Sequence, residues 1–367
     1  MKITVLQENL KRAWSRVGRA VSTRPQLPVL ANILVEAKDG KIFLTGTDLE
    51  LGIRVEVGAK VEVEGKTTIP AKMFGEFISS IPSGKVELNL EKETLKVKSG
   101  RYKASFQTIG ADEFPQFPII NRSGDGVVRF KKHQLEEALG RVSYAAAKDS
   151  MRPILTGVLM ELGAKKWRLV ATDGFRLALF EGKFGQGGAK DGLELVVPLR
   201  GVSEIGKLDG EDVGLLVLKD ANQVAFWDDE AMVVSQLLDG SYPNYKKIIP
   251  DDSKIKIKIG REDLLEGVRV SQVFARDNSN VLEWRVFSGG VKITSKSPEL
   301  GENEVVVEAD VSGGEEEVAF NGKFLLDFLQ NSKADQIEVG LGGNLAPGSF
   351  KESGRGNFLY IVMPINL

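Results

Sequence analysis

The sequence predicts an α+β fold of three similar domains in series, and three observations support this prediction. A short alternating apolar segment followed by an amphipathic helix occurs three times. A Thr-Asp turn between two apolar runs occurs at Thr47 and again at Thr172, 125 residues later. An aromatic-proline motif closes the first two units, as Phe114-Pro115-Gln116-Phe117 and Tyr242-Pro243-Asn244-Tyr245. Several landmarks in one register indicate an internal repeat.

The first half of each unit is a strand and a helix. In the first unit Lys2 to Val5 precedes a helix predicted over Gln7 to Ser22, with Leu10, Ala13, Trp14 and Val17 at helical spacing. The second unit has Val127 to Phe130 before a helix carrying Leu135, Ala138, Leu139 and Val142, and the third has Ile255, Ile257 and Ile259 before Leu264 and Val268.

The second half of each unit is a shorter helix followed by alternating strands. These helices are predicted to begin near Pro70, Pro198 and Asn321, and proline is well placed at a helix start because its missing N–H would be unpaired there. Polar stretches near Asn121 and Asp251 separate the units. The predicted domains are therefore residues 1–122, 123–251 and 252–367, each with two helices and several strands that bury one face.

Composition restricts the possible functions. The chain has 367 residues, is 42% hydrophobic and 27% charged, and contains no cysteine, which indicates a soluble globular protein and leads us to expect a cytoplasmic location. No apolar run is long enough to cross a membrane. The net charge is −2, so contact with nucleic acid requires basic residues concentrated on one surface.

Such a basic surface is predicted on the first helix. Arg12, Arg16 and Arg19 lie opposite the apolar stripe without an acidic residue among them, and Arg24 follows in the next loop. This set suits phosphate groups, although a solvated helix face is the alternative interpretation. The corresponding helices of the second and third units carry both signs of charge.

Catalytic patterns are incomplete throughout the sequence. The only histidine, His133, excludes a histidine-based triad and a multi-histidine metal site. Gly65-Lys66-Thr67 resembles the end of a phosphate-binding loop, but Lys60 stands where that loop needs glycine. A carboxylate-based hydrolase is the enzyme class that stays open. We expect no catalytic residue, no cofactor and no metal.

The repeat plan resembles the bacterial sliding clamp family, the β subunit of DNA polymerase III. The resemblance covers the whole chain and is most specific at Leu30 to Leu34, Thr45 to Glu50, Ala171 to Leu177, and the terminal Val362 to Leu367. It implies half of a six-domain ring, formed by two copies head to tail, with helices inside and sheets outside. It also implies a non-catalytic processivity factor that a loader places on double-stranded DNA without sequence specificity. Phe175 is a departure, because many relatives carry histidine there.

The resemblance also implies three sets of site residues. A peptide-binding cleft for the replicative polymerase, the clamp loader and repair proteins is expected at Leu155, Thr172, Gly174, Phe175, Arg176, Leu177, Pro243, Ile248, Ile361 and Met363. Residues expected to face DNA are Arg12, Arg16, Arg19, Arg24, Arg152 and Arg200. The homodimer interface is expected at Ile78, Phe106, Val273 and Phe274, flanked by basic Lys72, Arg101 and Lys103 and by acidic Glu299, Glu302 and Glu304. The alternative function is a three-repeat interaction scaffold that binds no DNA.

Overall fold

The computed structural model describes residues 1–149, 151–185, 187–189, 191–250, 252–297, 301–343 and 345–366. Six α-helices lie in this described part of the chain, two in each sequence repeat. They are α1 (Gln7–Val17), α2 (Ala71–Ser80), α3 (Lys132–Val142), α4 (Leu199–Ile205), α5 (Arg261–Ala275) and α6 (Gly322–Asn331). The predicted order of a long helix and then a short one is therefore present in every repeat.

Strands make up most of the remaining described residues. The first repeat contributes β1 (Lys2–Leu6), β2 (Asn32–Lys38), β3 (Lys41–Thr47), β4 (Leu51–Gly58), β5 (Lys60–Val63), β6 (Gly65–Pro70), β7 (Lys85–Glu91), β8 (Thr94–Ser99) and β9 (Tyr102–Gln107). The second contributes β10 (Val128–Lys131), β11 (Gly157–Leu162), β12 (Lys166–Thr172), β13 (Arg176–Lys183), β14 (Leu193–Pro198), β15 (Asp212–Leu218), β16 (Gln223–Trp227) and β17 (Ala231–Gln236). The third contributes β18 (Ile255–Gly260), β19 (Val281–Phe287), β20 (Gly290–Ser297), β21 (Gly301–Ser312), β22 (Glu316–Asn321), β23 (Gln336–Leu341), β24 (Gly348–Glu352) and β25 (Phe358–Val362).

The first helix is shorter than the sequence predicts. It ends at Val17 instead of Ser22, and a 3₁₀ turn over Gly18–Ala20 follows. The tighter turn keeps Ala20 fully buried, and the chain becomes extended at Val21. Apolar residues three or four apart suit both kinds of helix, so the spacing alone could not locate this transition.

The strands form three antiparallel sheets, two of which cross the repeat boundaries. A five-stranded sheet has the order β5-β1-β7-β8-β9, and an eight-stranded sheet has the order β10-β15-β16-β17-β4-β3-β2-β6. A twelve-stranded sheet has the order β14-β11-β12-β13-β25-β24-β23-β18-β21-β20-β19-β22. Thus β4 of the first repeat pairs with β17 of the second, and β13 of the second pairs with β25 of the third.

This pairing divides the chain into two compact units that differ from the three repeats. The first unit comprises residues 1–132 and 203–237 and contains the five- and eight-stranded sheets. The second comprises residues 133–202 and 238–367 and contains the twelve-stranded sheet. Each compact unit therefore contains parts of two repeats. The predicted limits 1–122, 123–251 and 252–367 describe the sequence repeat and stay a prediction, and Asp251 lies outside the described residues.

The core of the first compact unit includes the apolar face of α1. The stripe of Leu10, Ala13, Trp14 and Val17 is buried, and the Trp14 ring lies 4.4 Å from that of Phe74 on α2.

Across the described residues, the structure contains no helix both long enough and apolar enough to cross a membrane.

Candidate functional site

The turn between β12 and β13 is held by two side chains. The Thr172 hydroxyl accepts a hydrogen bond from the Gly174 N–H at 3.0 Å and donates one to the Arg176 carbonyl at 2.5 Å. The Asp173 carboxylate accepts from the N–H groups of Phe175 and Arg176 at 2.9 and 3.0 Å. Gly174 has a φ of +93°, in the region that favours glycine. The hairpin predicted from this segment is present.

The turn between β3 and β4 repeats this hydrogen-bond network. Thr47 accepts from the Leu49 N–H and donates to the Leu51 carbonyl, both at 3.0 Å. Asp48 accepts from the N–H groups of Glu50 and Leu51 at 3.1 and 2.9 Å. Asp48 and Asp173 therefore share a structural role in their repeats, because both carboxylates accept hydrogen bonds from backbone N–H groups.

An apolar cluster lies beside the β12–β13 turn in the second compact unit. Its buried members include Leu177 on β13 and Ile361 on β25, which are paired across the sheet. Partly buried Ile248 packs against the same cluster. The other buried members are Leu159, Val170, Val196 and Tyr245, and the other partly buried members are Ile154, Leu179, Leu238, Tyr242, Ile249 and Leu359.

The ten predicted cleft residues differ in accessibility. Leu155, Thr172, Arg176, Leu177 and Ile361 are buried, so their side chains offer almost no surface in the isolated chain. Ile248 and Met363 are half-buried, and Gly174, Phe175 and Pro243 are exposed. The Phe175 side chain is 65% exposed, and its carbonyl accepts the Met363 N–H at 2.8 Å. The accessible apolar surface therefore comes from Phe175, Pro243, Ile248 and Met363 above a packed floor.

Arg176 is an internal anchor in this structure. Its guanidinium donates to Asp173 at 2.9 Å, to Asp327 on α6 at 2.5 Å and to the Tyr144 carbonyl at 2.7 Å. It also lies 4.5 Å from the centre of the Phe324 ring. Burial alone would lower the pKa of Arg176, but nearby Tyr360 and the two carboxylates raise it above its ordinary value. The charge is thus permanent and directed into the protein.

Two tyrosines that the sequence marked only as repeat landmarks belong to this site. Tyr245 is buried in the cluster and donates its hydroxyl to Glu161 at 2.7 Å, and Tyr242 donates to the Val170 carbonyl at 3.4 Å. Burial raises the pKa of both phenols. The signal for them was present in the aromatic-proline motif, which contains both tyrosines.

Arg16 on α1 and Arg19 on the following 3₁₀ turn lie close to carboxylates from the second repeat, all within the first compact unit. Arg16 lies 3.6 Å from Asp209 and from Asp228, and Arg19 lies 2.8 Å from Glu204. Exposed Arg12 lines the same groove, which has a volume of about 780 Å³. The sequence pattern showed no acid near these arginines because the acids lie about 200 residues further along the chain.

The other three arginines predicted to face DNA are exposed. Arg24 makes no ion pair within the described part of the chain. Arg152 and Arg200 belong to the second compact unit. A Cβ added at Gly174 would lie 3.6 Å from the Arg152 guanidinium, so Arg152 lies next to the β12–β13 turn, a position the sequence did not predict.

The four residues predicted for the dimer interface also differ in exposure. Val273 on α5 is 52% exposed and Phe274 is half-buried, whereas Phe106 on β9 is 8% exposed. Ile78 on α2 is fully buried, so it supports the core of the first repeat and presents no side-chain surface of its own. Phe106 packs against Phe74 and Phe77 at ring distances of 5.3 and 5.7 Å. Glu299 lies outside the described residues.

Three α+β repeats joined by strand pairing, arginines paired with carboxylates and an apolar cluster with an exposed rim are the features of a modular binding protein. The chain matches the DNA polymerase III beta subunit family in all three of its domains, the N-terminal domain over residues 1–118, the central domain over 129–244 and the C-terminal domain over 246–366. The chain therefore belongs to the DNA polymerase III beta subunit family.

Individual relatives agree over the full length. The Beta sliding clamp of Escherichia coli (strain K12) is 30% identical over 370 residues, which cover 100% of both chains. The crystal structure of the DNA polymerase III beta subunit from Thermotoga maritima has a TM-score of 0.90 at 29% identity and covers 100% of this chain and 99% of that one. A Pseudomonas aeruginosa sliding clamp bound to griselimycin has a TM-score of 0.94 at 28% identity and covers 100% of both chains. The predicted family and α+β fold class are confirmed.

Proposed function

We propose that the chain is the processivity clamp of the bacterial replicative DNA polymerase, acting as a ring of two copies that encircles duplex DNA. Membership of the DNA polymerase III beta subunit family supports DNA and the polymerase as partners. It also supports a non-catalytic accessory role. The scaffold without DNA binding is not favoured, because full-length relatives are sliding clamps.

The observation that supports a ring is the pairing of strands from different repeats. In each of the two junctions, the strand after the Thr-Asp turn pairs with the last strand of the following repeat, as β4 with β17 and β13 with β25. The first part of β21 occupies the position in the third repeat that β4 and β13 occupy in the first two. By the same rule, it should pair with the last strand of another repeat, and β9, the last strand of the first repeat, should pair with such a strand. The described chain supplies neither, since β9 ends its sheet and Gly301–Glu308 pairs only with β20.

Two copies can satisfy both edges through one repeated contact. The edge of β9 in one copy would pair with β21 of the next, and a second identical contact would close the ring. Charge favours this pairing, because Arg101 and Lys103 flank one edge and Glu302, Glu304 and Glu308 lie along the other. Exposed Val273 and half-buried Phe274 add apolar surface. In this homodimer the junction between two copies would have the same strand pairing as the two junctions within each chain.

The proposed ring holds DNA by enclosing it. Arg12, Arg16, Arg19 and Arg24 would meet the phosphate backbone, with Arg152 and Arg200 from the second unit adding further positive charge. Phosphate contacts are independent of sequence, and weak contacts allow movement along the duplex. A loader would open the ring, and the cytoplasm is the expected location.

The cleft beside the β12–β13 turn is the proposed docking site for short peptide motifs. Its packed floor of Leu177 and Ile361 and its accessible rim of Phe175, Pro243 and Met363 suit apolar side chains. A relative of the same fold has been crystallised with griselimycin, which supports a ligand site in clamps of this kind. Polymerase, loader and repair proteins would compete for this cleft.

The test of enclosure uses DNA topology. The protein is loaded with its loader onto nicked circular DNA, and the complex is separated from free protein before and after the circle is cut. We expect the protein to remain on the circle and to leave the linear molecule by its ends. Equal retention on circular and linear DNA would contradict enclosure.

A further inference from the structure

Arg16 on α1 and Arg19 on the 3₁₀ turn that follows it already contact carboxylates in the absence of DNA. Arg16 lies 3.6 Å from Asp209 and from Asp228 and donates to the Lys207 carbonyl at 3.0 Å. Arg19 donates to Glu204 at 2.8 Å. The groove around them is lined by basic Arg12, Arg16, Arg19 and Lys207 and by acidic Glu56, Asp209, Asp228, Asp229 and Glu230. The acidic residues that line this groove therefore outnumber the basic ones by five to four.

The three carboxylates that contact Arg16 and Arg19 differ in burial and in how firmly hydrogen bonds fix them. Asp228 is buried and accepts from the N–H groups of Asp209, Glu230 and Ala231 at 2.6 to 2.8 Å, so the backbone fixes it. Glu204 is also buried and pairs with Lys207 at 2.7 Å. The Asp209 side chain is 88% exposed. Only Asp209 can move away from its arginine without leaving a buried charge behind.

A guanidinium group binds carboxylate and phosphate with the same planar set of N–H donors. An arginine that already contacts a carboxylate must exchange that contact for a phosphate, so its gain on DNA binding is smaller than that of an unpaired arginine. Arg12 makes no ion pair within the residues that the structure describes.

We propose that Glu204, Asp209 and Asp228 limit the grip on DNA by competing with phosphate for Arg16 and Arg19. This inference rests on the proposed DNA-facing role of α1. The acids come from the second repeat and the arginines from the first, so the competition is a property of the fold. It keeps α1 bound loosely enough to pass from one phosphate to the next, while Arg12 maintains the positive attraction.

The test removes one acid at a time from the full-length protein. Asp209→Asn and Glu204→Gln keep the side-chain shape and remove the charge. Binding to a fluorescent duplex is measured by anisotropy across a salt series. We expect each variant to bind about two- to fivefold more tightly, the range that a surface ion pair spans, and to show a steeper salt dependence. Asp112→Asn is the matched control, because Asp112 is an exposed carboxylate paired with Lys66 at 2.9 Å outside the α1 groove.

Each outcome decides the inference. Unchanged affinity in both variants, or an equal gain in Asp112→Asn, overturns the competition and leaves general charge as the explanation. Arg12→Ala separates this from the proposed function: it should reduce the salt slope by about 0.9. If Arg12→Ala leaves the slope unchanged, the DNA-facing role of α1 is wrong. If Arg12→Ala lowers the slope while the acid variants have no effect, only the competition is wrong.

Discussion

At the scale of single residues, the two Thr-Asp turns use the same hydrogen bonds but different residues at their tightest point. Gly174 has a φ of +93°, and its counterpart Leu49 has a φ of +80° and is 54% exposed. A leucine side chain in this conformation is strained, whereas glycine is not. The first turn is therefore held in place by its hydrogen bonds against a local cost.

This difference predicts opposite effects of two substitutions. Gly174→Ala should lower the free energy of unfolding by about 1 kcal/mol through backbone strain, since its Cβ would meet the Arg152 guanidinium only at an ordinary 3.6 Å. Leu49→Gly should raise it by about 0.5 kcal/mol, because relieved strain exceeds the entropy cost of glycine. Urea unfolding measures both. Gly140→Ala, in α3 with open space around the glycine, is a control that should stabilise the protein.

A buried ion pair makes a second prediction at this scale. Glu352 on β24 lies 2.6 Å from Arg141 on α3, and both side chains are almost fully buried. Burial alone would raise the pKa of Glu352, but the Ser332 hydroxyl, Arg141 and the Lys333 N–H together lower it. The pair therefore stabilises the protein above the ordinary glutamate pKa, and this contribution disappears as the pH falls through the lowered value.

Glu352→Gln should leave buried Arg141 with Glu137 as its one carboxylate partner among the described residues and lower the free energy of unfolding at pH 7 by about 3 kcal/mol. The difference in free energy of unfolding between the variant and the wild type should decrease below pH 4. Denaturant unfolding at pH 7 and at pH 3.5 measures both effects. Exposed Glu317→Gln is the control, and an equal loss there would show that the buried pair is not responsible.

At the scale of elements, the hairpin of β12 and β13 places Phe175 at the rim of the proposed cleft. Phe175→Ala should weaken binding of a polymerase-derived peptide by about tenfold, because an exposed aromatic anchor is lost. Since the side chain is 65% exposed, folding should be unaffected. Isothermal titration measures the affinity. Ile119→Ala, a truncation of a 96% exposed side chain in the other compact unit, should change nothing.

Removing residues 363–367 tests the proposed cleft through the C-terminal segment that contacts Phe175. The deletion removes the Met363 N–H donated to the Phe175 carbonyl and the Ile365 N–H donated to the Ala319 carbonyl. The truncated protein should stay dimeric and lose polymerase binding. Undiminished binding would move the docking site elsewhere, and Leu367 itself lies outside the described residues.

The elements also show what sequence could and could not supply. Periodicity predicted the first helix of each repeat, the recurring segments at Pro70, Pro198 and Asn321 predicted the second, and the Thr-Asp pattern predicted both hairpins. All of these depend on neighbouring residues. The pairing of β4 with β17 joins positions about 180 residues apart, and nothing local encodes it. The acids beside Arg16 and the inward direction of Arg176 were missed for the same reason. The residues in contact lie far apart in the chain.

At the scale of the whole molecule, the proposed ring depends on the contact between one copy's first repeat and the next copy's third. Phe274→Arg should place an unpaired charge in this contact and weaken the dimer by several kcal/mol. Sedimentation across a dilution series should show monomer where wild type is dimeric. Ile119→Arg adds the same charge at an exposed loop and should leave the dimer intact.

Charge reversal tests the same contact in a second way. Lys103→Glu should weaken the dimer, and adding Glu302→Lys should restore part of the loss, because the two side chains flank the proposed strand pair. A double variant no better than the single one would show that these strands do not meet.

The open edges of β9 and β21 have a consequence for the handling of the purified protein. Each copy has both halves of one contact, so copies that join without closing can add further copies at either end and grow into filaments. Lysines and glutamates along such edges oppose indiscriminate association. Variants that neutralise these charges should therefore scatter more light on concentration, even where their folding is unchanged.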